Sequence, residues 1–500
     1  MKLFAILLVL GAITTCEGQK TPVADYSSAM NLDTTTFNKI YKQYKEPALQ
    51  HRRFKHMDVD SLIHKHKEQQ VLDVALIGTS FEGRSIYELT YGVGEKVVML
   101  WSQMHGDEPT ATMALFDLFN FLEGKDDGND EVRELLKTKL NLHFIPMLNP
   151  DGAERYTRRT AQSIDMNRDA RAGQTVEGAL LKKRAQELKP KYGFNLHDQN
   201  IYYNVPETSN PVQISLLAPA YNNQRDINDV RGDAMKIIVG MNRLLQQYIP
   251  DAVAKYDDAH TPRGFGDNFQ SWGASTVLIE SGGRKGDPEK QEIRKLNFTI
   301  ILNALIQIAE GSYGQYPIED YEKIPFNASQ LHDVVIRNLE VKTDSTSFRT
   351  DIAIRRGETT VDRDYFVRGR IEDIGDLLES FGYDEADATG LQFIQAKSSN
   401  VVLDSASVLS QEEAFGLLKK GIMAIPVKTV GSSKLHSLHN YPIHFFTQRQ
   451  FYPTASLDLG GTANFYIGDE SGKLRYAVFN GYLIDLSQDI KGQLFKSRVH

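Results

Sequence analysis

The spacing of apolar residues over 70–310 changes repeatedly between the strand period and the helix period, and each change marks an expected element. The predicted strands are Val71–Ile77, Ser85–Tyr91, Lys96–Trp101, Leu140–Met147, Gly193–Leu196 and Thr276–Ile279. The predicted helices are Ala111–Leu122, Glu131–Lys139, Glu177–Leu188 and Lys290–Glu310, with further helices over most of 210–250. Strands that alternate with helices in this way predict an α/β domain with a mixed sheet, which we assign to residues 51–311.

The pattern changes after Gly311, where the regular alternation gives way to short β-type runs and glycine-rich turns. We predict a linker at residues 312–325 and a smaller accessory domain, β-rich or α+β, at residues 326–500. A chain of 500 residues is too long for one ordinary core, which favours this division. No function is predicted for the accessory domain. Residues 19–50 are polar and rich in threonine, and we expect a loosely held lead-in there.

Residues 1–18 have the pattern of a secretory signal peptide, with Lys2, the apolar run Leu3–Ile13 and then small or polar residues. Two kinds of processing fit this pattern. Cys16 follows the apolar run as in bacterial lipoprotein signals, which would give a lipid anchor, whereas cleavage near Gly18 would release a soluble protein. In both cases we expect an exported protein that is secreted, periplasmic or lipid-anchored outside the cell. The anchor is the one membrane contact that we expect.

The composition of the chain narrows the class of protein. The chain is 24% charged and 41% hydrophobic, as soluble globular proteins are. Its net charge of −8 argues against nucleic acid as a partner. Cys16 is the single cysteine, so the chain cannot form an internal disulfide or a thiolate cluster. Any metal site must therefore use histidine and carboxylate ligands.

Residues 46–70 contain many histidine, lysine and arginine side chains. A metal or anion site is one interpretation of this stretch. We favour a solvated helical face, because the charges recur without a pattern of carboxylate partners.

The clearest sign of chemistry is the loop HGDE at 105–108, between a predicted strand and a predicted helix. Open α/β sheets bind ligands at the carboxyl ends of their strands. Catalytic zinc sites use three protein ligands, two histidines and a glutamate in one common set, and leave one position open. His105 and Glu108 supply two ligands, and His197, at the end of an apolar strand, is the preferred third. His143 is the alternative, although its place inside a strand favours a core histidine.

Glu280 ends the apolar strand Thr276–Ile279 and directly precedes a Ser-Gly-Gly turn. A carboxylate at this position is partly desolvated, which raises its pKa toward neutrality. Such a group can take a proton from water and later return it to a leaving amine. Considered alone, Glu280 would be interpreted as a glutamate that only caps a strand. Next to a metal triad, a role as general base is favoured.

A charged stretch follows the strand that ends at Met147, with RR at 158–159 and DMNRD at 165–169. Arginine pairs bidentately with carboxylates, and an arginine near a metal can stabilise a developing oxyanion. Asp165 fits another role, in which it orients a ligand histidine through the free ring nitrogen. Taken alone, the stretch would be interpreted as an exposed charged loop.

These residues occur in one order along the chain. The elements are His105-x-x-Glu108, Asn149-Pro150-Asp151-Gly152, the run from Arg158 through Asp165 and Asn167 to Arg168, His197, and Glu280. Together they resemble the zinc carboxypeptidase family, the carboxypeptidase A/B and related group, over about residues 50–310. The Glu280-Ser281-Gly282-Gly283 ending and the run Thr160-Ala161-Gln162 are closer to its bacterial and regulatory-type members.

The resemblance implies a mixed-sheet catalytic domain and a role for each motif residue. One Zn²⁺ ion would be bound by His105, Glu108 and His197. Glu280 would be the general base and then the general acid, and Arg158 would polarise the scissile carbonyl and stabilise its oxyanion. The substrate's C-terminal carboxylate would be bound by Asn167 and Arg168, and Asp165 would hydrogen-bond His105.

Three positions depart from the digestive members of the family. Asp107 stands where those enzymes carry an arginine, so that substrate contact is lost. Tyr256 is the nearest match to their substrate-capping tyrosine, but its spacing to Glu280 differs. Gly266 falls near the position that sets their side-chain preference. Glycine supplies neither an apolar wall nor an anion, so no preference is predicted.

We therefore predict a zinc-dependent metallocarboxypeptidase that removes C-terminal residues from peptides with a free carboxylate. The alternative is an amidase or deacylase of the same fold, acting on cell-wall peptides or N-acyl amino acids, since it also needs a carboxylate-binding arginine. A third hypothesis is an inactive peptide-binding module. The sequence keeps every predicted zinc ligand and Glu280, which argues against an inactive module.

Overall fold

The computed structural model describes residues 32–429, 441–447, 457–489 and 495–497 of the chain. The predicted signal at residues 1–18, with Cys16, lies outside the described residues. Among the helices that are described, none combines the length and the apolar composition that crossing a bilayer requires.

The first half of the chain alternates strands and helices, as its apolar pattern predicts. The strands are β1 (Asp73–Thr79), β2 (Ser85–Tyr91), β3 (Lys96–Ser102), β4 (Leu140–Ile145), β5 (Tyr192–Asp198), β6 (Ile214–Leu217), β7 (Val253–Lys255) and β8 (Ser275–Ser281). The helices are α1 (Thr34–Tyr44), α2 (His56–Gln69), α3 (Thr110–Glu123), α4 (Asp130–Lys139), α5 (Pro150–Arg155), α6 (Val176–Leu188), α7 (Asp229–Tyr248), α8 (Phe265–Ser271), α9 (Gln291–Glu310) and α10 (Ile318–Glu322). The predicted α/β class with a mixed sheet is confirmed.

The strands of this half form one mixed sheet in the order β1-β2-β4-β3-β5-β8-β6-β7. Its centre, β4-β3-β5-β8, is parallel, while β1, β2 and the β8-β6 pair contribute antiparallel pairings. Helices cover both faces. The larger core packs α3, α7 and α9 on one face, and a smaller core beneath α6 and α8 includes Trp101, Met166 and Phe269. The parallel centre therefore carries four strand ends to one edge.

Two predictions for the region before β1 are wrong in part. Residues 34–44 of the expected loose lead-in form helix α1, which buries Phe37 and Ile40 in the larger core. The basic stretch contains helix α2, but Arg52, Arg53 and His66 are buried rather than solvated. The two arginines are buried because both pair with Glu358, which lies 305 or more residues away in the sequence.

Two further stretches also differ from prediction. The apolar run Ile214–Leu217, expected within a helical region, is the short strand β6 and pairs with β8. The expected linker at 312–325 is packed, because its apolar face buries Tyr313, Tyr316 and Tyr321 against the first half of the chain.

The second half is rich in strands, as expected. These are β9 (Leu331–Lys342), β10 (Ser347–Val361), β11 (Asp364–Gly375), β12 (Phe381–Asp387), β13 (Gln392–Gln395), β14 (Lys397–Ser398), β15 (Leu403–Ser405), β16 (Ile422–Thr429), β17 (His444–Phe446), β18 (Phe465–Gly468), β19 (Leu474–Phe479) and β20 (Tyr482–Asp485), with helix α11 (Gln411–Lys419). Three of these strands, β9, β10 and β11, are 12–15 residues long rather than short. One sheet has the order β11-β10-β9-β13-β18-β19-β20, with β12 beside β9. A smaller sheet has the order β14-β16-β15, with β17 beside β16.

A buried ion pair fixes α9 against α3 in the first half of the chain. The side chains of Arg294 and Asp117 are both fully buried, and Arg294 Nε lies 2.7 Å from Asp117 Oδ2. The same guanidinium donates to the carbonyl oxygens of Glu46 and Leu49. Every partner of this charge is therefore internal, and the segment before α2 is tied to the helical layer.

We predict that Arg294→Met lowers the free energy of unfolding by about 3–5 kcal/mol, because it leaves the Asp117 carboxylate buried without its counter-charge. Urea unfolding followed by circular dichroism measures this loss. The matched control is Lys295→Met on the exposed side of the same helix, where the pair with Glu292 is worth about 0–1 kcal/mol. Equal losses in the two variants would contradict the assigned role of Arg294.

Candidate active site

Three neighbouring parallel strands end at one edge of the first sheet, and their ends carry the predicted site residues. His105 and Glu108 lie in the loop between β3 and α3, while His197 and Glu280 are the penultimate residues of β5 and β8. His197 and Glu280 are register partners. Because β4 and β5 lie on opposite sides of β3, the strand order reverses here. Open sheets bind their ligands at such a point.

The motif at 149–152 braces the loop that carries His105. The Asn149 side chain caps α5 by accepting from the Gly152 N–H, and its amide donates to the Met104 carbonyl. A Cβ atom at Gly106 would lie 2.0 Å from the Gly152 carbonyl carbon. The two backbones can approach this closely because residue 106 is a glycine, which explains why the two motifs occur together.

The side chains of His105, Glu108 and His197 converge in a buried cluster. His105 Nδ1 lies 2.8 Å from Glu108 Oε1, and His197 Nδ1 lies 2.6 Å from Glu108 Oε2. The two ring nitrogens are 3.2 Å apart. The three ligand atoms thus lie within 4.8 Å of one another.

This cluster fits a zinc ion by its donor chemistry and its spacing. Ligand nitrogens about 2.0–2.1 Å from one tetrahedral ion lie roughly 3.3 Å from each other, close to the observed separation. Two imidazole nitrogens at this distance are compatible with two lone pairs directed at one cation. His105 Nε2 also lies 3.1 Å from Asp165 Oδ1, the outer contact by which carboxylates orient ligand histidines.

Burial and charge act against each other in the cluster. Burial alone would raise the pKa of Glu108, but His105 and His197 outweigh it and hold that pKa below its usual range. Burial lowers the pKa of His197 despite the nearby carboxylate. Burial also disfavours charged His105, but Glu108 and Asp165 raise its pKa to about 9. Glu108 is therefore an ionised carboxylate between two imidazoles.

Glu280 lines the same pocket and is 8% exposed. Burial raises its pKa well above the ordinary glutamate value, and the negative charge of Glu108 raises it further. A carboxyl group with a raised pKa can exchange a proton near neutral pH.

Arg158 is not part of an isolated surface loop. Its Nη1 lies 3.0 Å from Glu108 Oε1 and 3.1 Å from His105 Nδ1, and its Nη2 lies 3.1 Å from Asp165 Oδ2. The side chain is 43% exposed, so the guanidinium contacts the cluster from the open side of the pocket. A ligand atom that entered here would meet this positive charge.

Asn167 and Arg168 also line the pocket. Asn167 Oδ1 accepts from the Phe265 N–H at 2.9 Å, and because a backbone N–H can only donate, this contact fixes the orientation of the amide. The Asn167 NH₂ group is the part of the amide that remains for a ligand. Arg168 is exposed, and its guanidinium donates to the backbone carbonyl of Asn167. The two adjacent residues therefore both offer donors to the pocket.

Tyr256 follows β7 and lines the pocket. The ring of Tyr203 packs edge-to-face against it, with centroids 5.9 Å apart. Burial raises the pKa of Tyr256, and the charge of Glu280 adds to this. Gly266, on α8, also lines the pocket, and a Cβ atom there would lie 3.4 Å from Asn195 Nδ2. A side chain at this position would therefore pack against the Asn195 amide.

Two predicted residues lie apart from these contacts. Asp107 is turned inward, and its Oδ1 is buried with no hydrogen-bond partner among the described residues. Burial and Glu108 raise the pKa of Asp107 to about 6. His143 lies in β4 and bonds Glu88 instead of joining the cluster, as expected of a core histidine.

The pocket contains several residues that the sequence analysis missed. Asn195 and Leu278 are register partners one layer below His197 and Glu280 on the same face of the sheet. The two-residue period of a strand is the signal that predicts them once the upper pair is known. The loop acids Asp257 and Asp258 and Asp267 in the first turn of α8 also line the pocket, and no spacing in the sequence indicates them.

Comparisons with known proteins match part of the chain. The family model for zinc carboxypeptidases matches residues 60–210, a range that contains the three cluster residues and ends before Glu280. An uncharacterised protein of Zymomonas mobilis is 36% identical over 95 residues, which is 19% of this chain and 24% of that protein. Carboxypeptidase SOL1 of Arabidopsis thaliana is 35% identical over 66 residues, 13% of each chain. The chain thus spans a quarter or less of these curated relatives.

Solved structures superpose on about half of the chain. A metallo-carboxypeptidase from Burkholderia cenocepacia has a TM-score of 0.43 and 16% identity, over 52% of this chain and 70% of that one. The carboxypeptidase A from Helicoverpa armigera has a TM-score of 0.42 and 15% identity, over 56% and 80%. The family model and the ordered motifs point to the same family, and the match to zinc carboxypeptidases covers residues 60–210 of the chain.

Proposed function

We propose that this protein is a zinc-dependent carboxypeptidase that hydrolyses the C-terminal peptide bond of peptides. One observation carries the proposal. The cluster of His105, Glu108 and His197 shares a single pocket with Glu280 and with the donors of Asn167 and Arg168. Hydrolysis needs the first set of groups, and selection of a chain end needs the second.

His105, Glu108 and His197 would hold the metal. Zn²⁺ in such a centre supplies a Lewis acid that lowers the pKa of water to about 7 and polarises a carbonyl. The chain's own contribution to proton transfer is Glu280. Its buried carboxylate accepts a proton from the attacking water and then delivers it to the leaving amine, and its raised pKa favours both steps.

Arg158 is placed to stabilise charge that develops on the substrate. Its guanidinium contacts Glu108 and Asp165 from the open side of the pocket. When the scissile carbonyl is attacked, its oxygen becomes negative, and a fixed positive group beside it lowers the barrier. The contact with Asp165 limits the motion of the guanidinium before the substrate arrives.

The terminal carboxylate of the substrate would bind Asn167 and Arg168. The Asn167 NH₂ group and the Arg168 guanidinium are neighbouring donors, and a carboxylate accepts from two such donors at once. Binding at this point would place the preceding peptide bond in the pocket that Glu280 also lines. Export of the protein stays a prediction from residues 1–18.

We predict that Glu280→Gln lowers kcat about 10²–10⁴-fold and leaves the zinc content unchanged, because the amide cannot carry the proton. Steady-state hydrolysis and metal analysis of the same sample test this. The control is Glu177→Gln, a buried glutamate on α6 that bonds the Phe81 N–H away from the pocket. Hydrolysis that survives Glu280→Gln would contradict the proposed role of the carboxylate.

We expect Asp165→Asn to weaken zinc binding about 10–100-fold, because His105 loses the carboxylate that orients its ring. Competition with a chromophoric chelator gives the affinity. Asp169→Asn is the matched control from the same loop, since Asp169 bonds Gln174 and Thr175 but not the cluster. If both variants hold zinc equally well, the outer contact of His105 does not tune the metal.

Peptides that differ only at the C-terminus test the selection of chain ends. The wild type is expected to cleave a free carboxylate at least about 100-fold better than the amide, and Arg168→Ala to lose most of this ratio through a higher KM. Exposed Arg171 supplies the control, Arg171→Ala, which should keep the ratio. Equal turnover of free and amidated peptides would overturn the carboxypeptidase assignment. Chelator-sensitive cleavage of N-acyl amino acids alone would favour the amidase alternative.

A further inference from the structure

We propose that the second half of the chain completes the substrate pocket, and that Asp333 is a positioning residue for the loop at 199–204. The inference rests on the proposed function for its kinetic readout. It concerns a part of the pocket that lies outside the metal cluster, the general base and the carboxylate donors. The residues that carry the inference are Tyr202, Asp333 and Arg356.

The loop at 199–204 follows β5 directly after His197 and Asp198. Asn200 and Tyr203 line the pocket, and the Tyr203 ring packs against Tyr256. The loop therefore forms one wall of the pocket that also contains the metal cluster. Its shape decides what fits beside Tyr256.

Tyr202 lies between these two lining residues and faces the second half of the chain. Its hydroxyl donates to Asp333 Oδ2 at 2.5 Å, and the Arg355 guanidinium lies 4.5 Å from its ring centroid. Tyr202 and Asp333 are both buried. Tyr202 is thus the side chain that fastens the loop to strand β9.

Asp333 is held rigidly by strand β10. Its Oδ2 accepts from the Arg356 N–H at 2.6 Å, and its Oδ1 lies 2.6 Å from Arg356 Nη2. The Arg356 guanidinium is itself stacked over the Tyr482 ring, 4.1 Å from the centroid. The Asp333 carboxylate is thus bonded to the Arg356 N–H, the Arg356 guanidinium and the Tyr202 hydroxyl. These contacts fix its orientation, and the fixed carboxylate in turn positions the Tyr202 side chain.

Several backbone N–H and C=O groups of the loop also have their hydrogen-bond partners in the second half of the chain. Asn204 exchanges backbone hydrogen bonds with Ala328 at 2.8 and 2.9 Å, and the Ile201 carbonyl accepts from the Tyr383 hydroxyl at 2.6 Å. The Tyr202 carbonyl accepts from the Leu331 N–H. These backbone groups would be unpaired in the first half alone, and unpaired backbone groups do not hold a fixed loop.

The two sets of groups in the pocket therefore have separate supports. His197 and Glu280 stand on strands of the first sheet, so the groups for chemistry do not depend on β9 and β10. Asn200 and Tyr203 are linked to β9 through Tyr202, which lies between them. Loosening the Tyr202–Asp333 contact is expected to weaken substrate binding while leaving the chemical step nearly unchanged.

The test uses the full-length zinc-loaded protein and the variants Tyr202→Phe, Asp333→Asn and the double substitution. Two controls match them. Tyr91→Phe removes a buried hydroxyl that bonds the Arg133 carbonyl, and Arg363→Gln removes an ion pair with Asp58 that joins the two halves elsewhere. The readouts are kcat and KM on a free-carboxylate peptide, and hydrogen exchange of the backbone amides of 199–204.

We expect KM to rise about 5–20-fold in Tyr202→Phe and Asp333→Asn, with kcat within about twofold of the wild type. The double substitution is expected to be no worse than the more severe single one, because both remove one contact. Amide exchange at 199–204 should rise about tenfold in these variants and not in the controls, while β5 and β8 stay protected.

Unchanged exchange and unchanged KM in Asp333→Asn would overturn the inference, and so would equal changes in Arg363→Gln. The two proposals fail differently. If the wild type lacks chelator-sensitive carboxypeptidase activity, the proposed function fails, and exchange at 199–204 still decides whether Asp333 holds the loop. If the wild type is active and both readouts match the controls, only the positioning role fails.

Discussion

The parallel pairing of β3, β5 and β8 is the constraint on which the candidate site depends. Backbone hydrogen bonds fix the register of these strands, and a shift of one residue would turn His197 or Glu280 to the other face. The loop after β3 is then placed by its contact with the turn at 149–152, where Gly106 permits backbones to touch. The strand register and this loop contact together bring the two histidine nitrogens to 3.2 Å.

The charged side chains at this edge of the sheet are the second feature that shapes the candidate site. Glu108, Asp165, Asp198 and Glu280 concentrate negative charge in a buried region, and burial raises the pKa of both Asp198 and Glu280. Asp198 is compensated by Lys290 at 3.0 Å and by the Thr110 hydroxyl at 2.6 Å, so its charge is used to hold α3 and α9 to β5. The negative charge of Glu108 faces the two imidazoles and Arg158. The carboxylate and the two imidazoles are the donors from which the proposed zinc centre is inferred.

Local sequence was sufficient to predict most of the central strands and the long helices of the first half, and the residues of the HGDE loop, because these depend on short-range periods and turn residues. His143 and His197 lie on the two strands that flank β3, so the strand order does not decide between them. His197 joins the cluster because it lies near the carboxyl end of β5, whereas His143 lies inside β4 opposite Met99, a difference that the sequence already indicates. Arg52 and Arg53 were expected on a solvated face because their partner, Glu358, is far away in the sequence. The pocket acids Asp257 and Asp258 were missed for a related reason, since they lie on a loop without a period, and Asp267 was missed because it lies on the short helix α8, which was not predicted.

Contacts between residues far apart in the sequence also explain why the predicted boundary between the two halves of the chain does not coincide with a break in the packing. The composition changes near residue 311, yet buried contacts continue across that point, through Tyr313, Tyr316 and Tyr321. Beyond it, Ala328 and Asp333 supply partners to the loop that follows His197. A loop that leaves the carboxyl end of a central strand soon runs out of neighbouring strand to bond, so the rest of its polar backbone must be satisfied from outside the sheet. In this protein Ser281 and Val212 of the first half supply two of the partners, and Ala328, Leu331 and Tyr383 supply the others, which makes the second half part of the pocket that the first half opens.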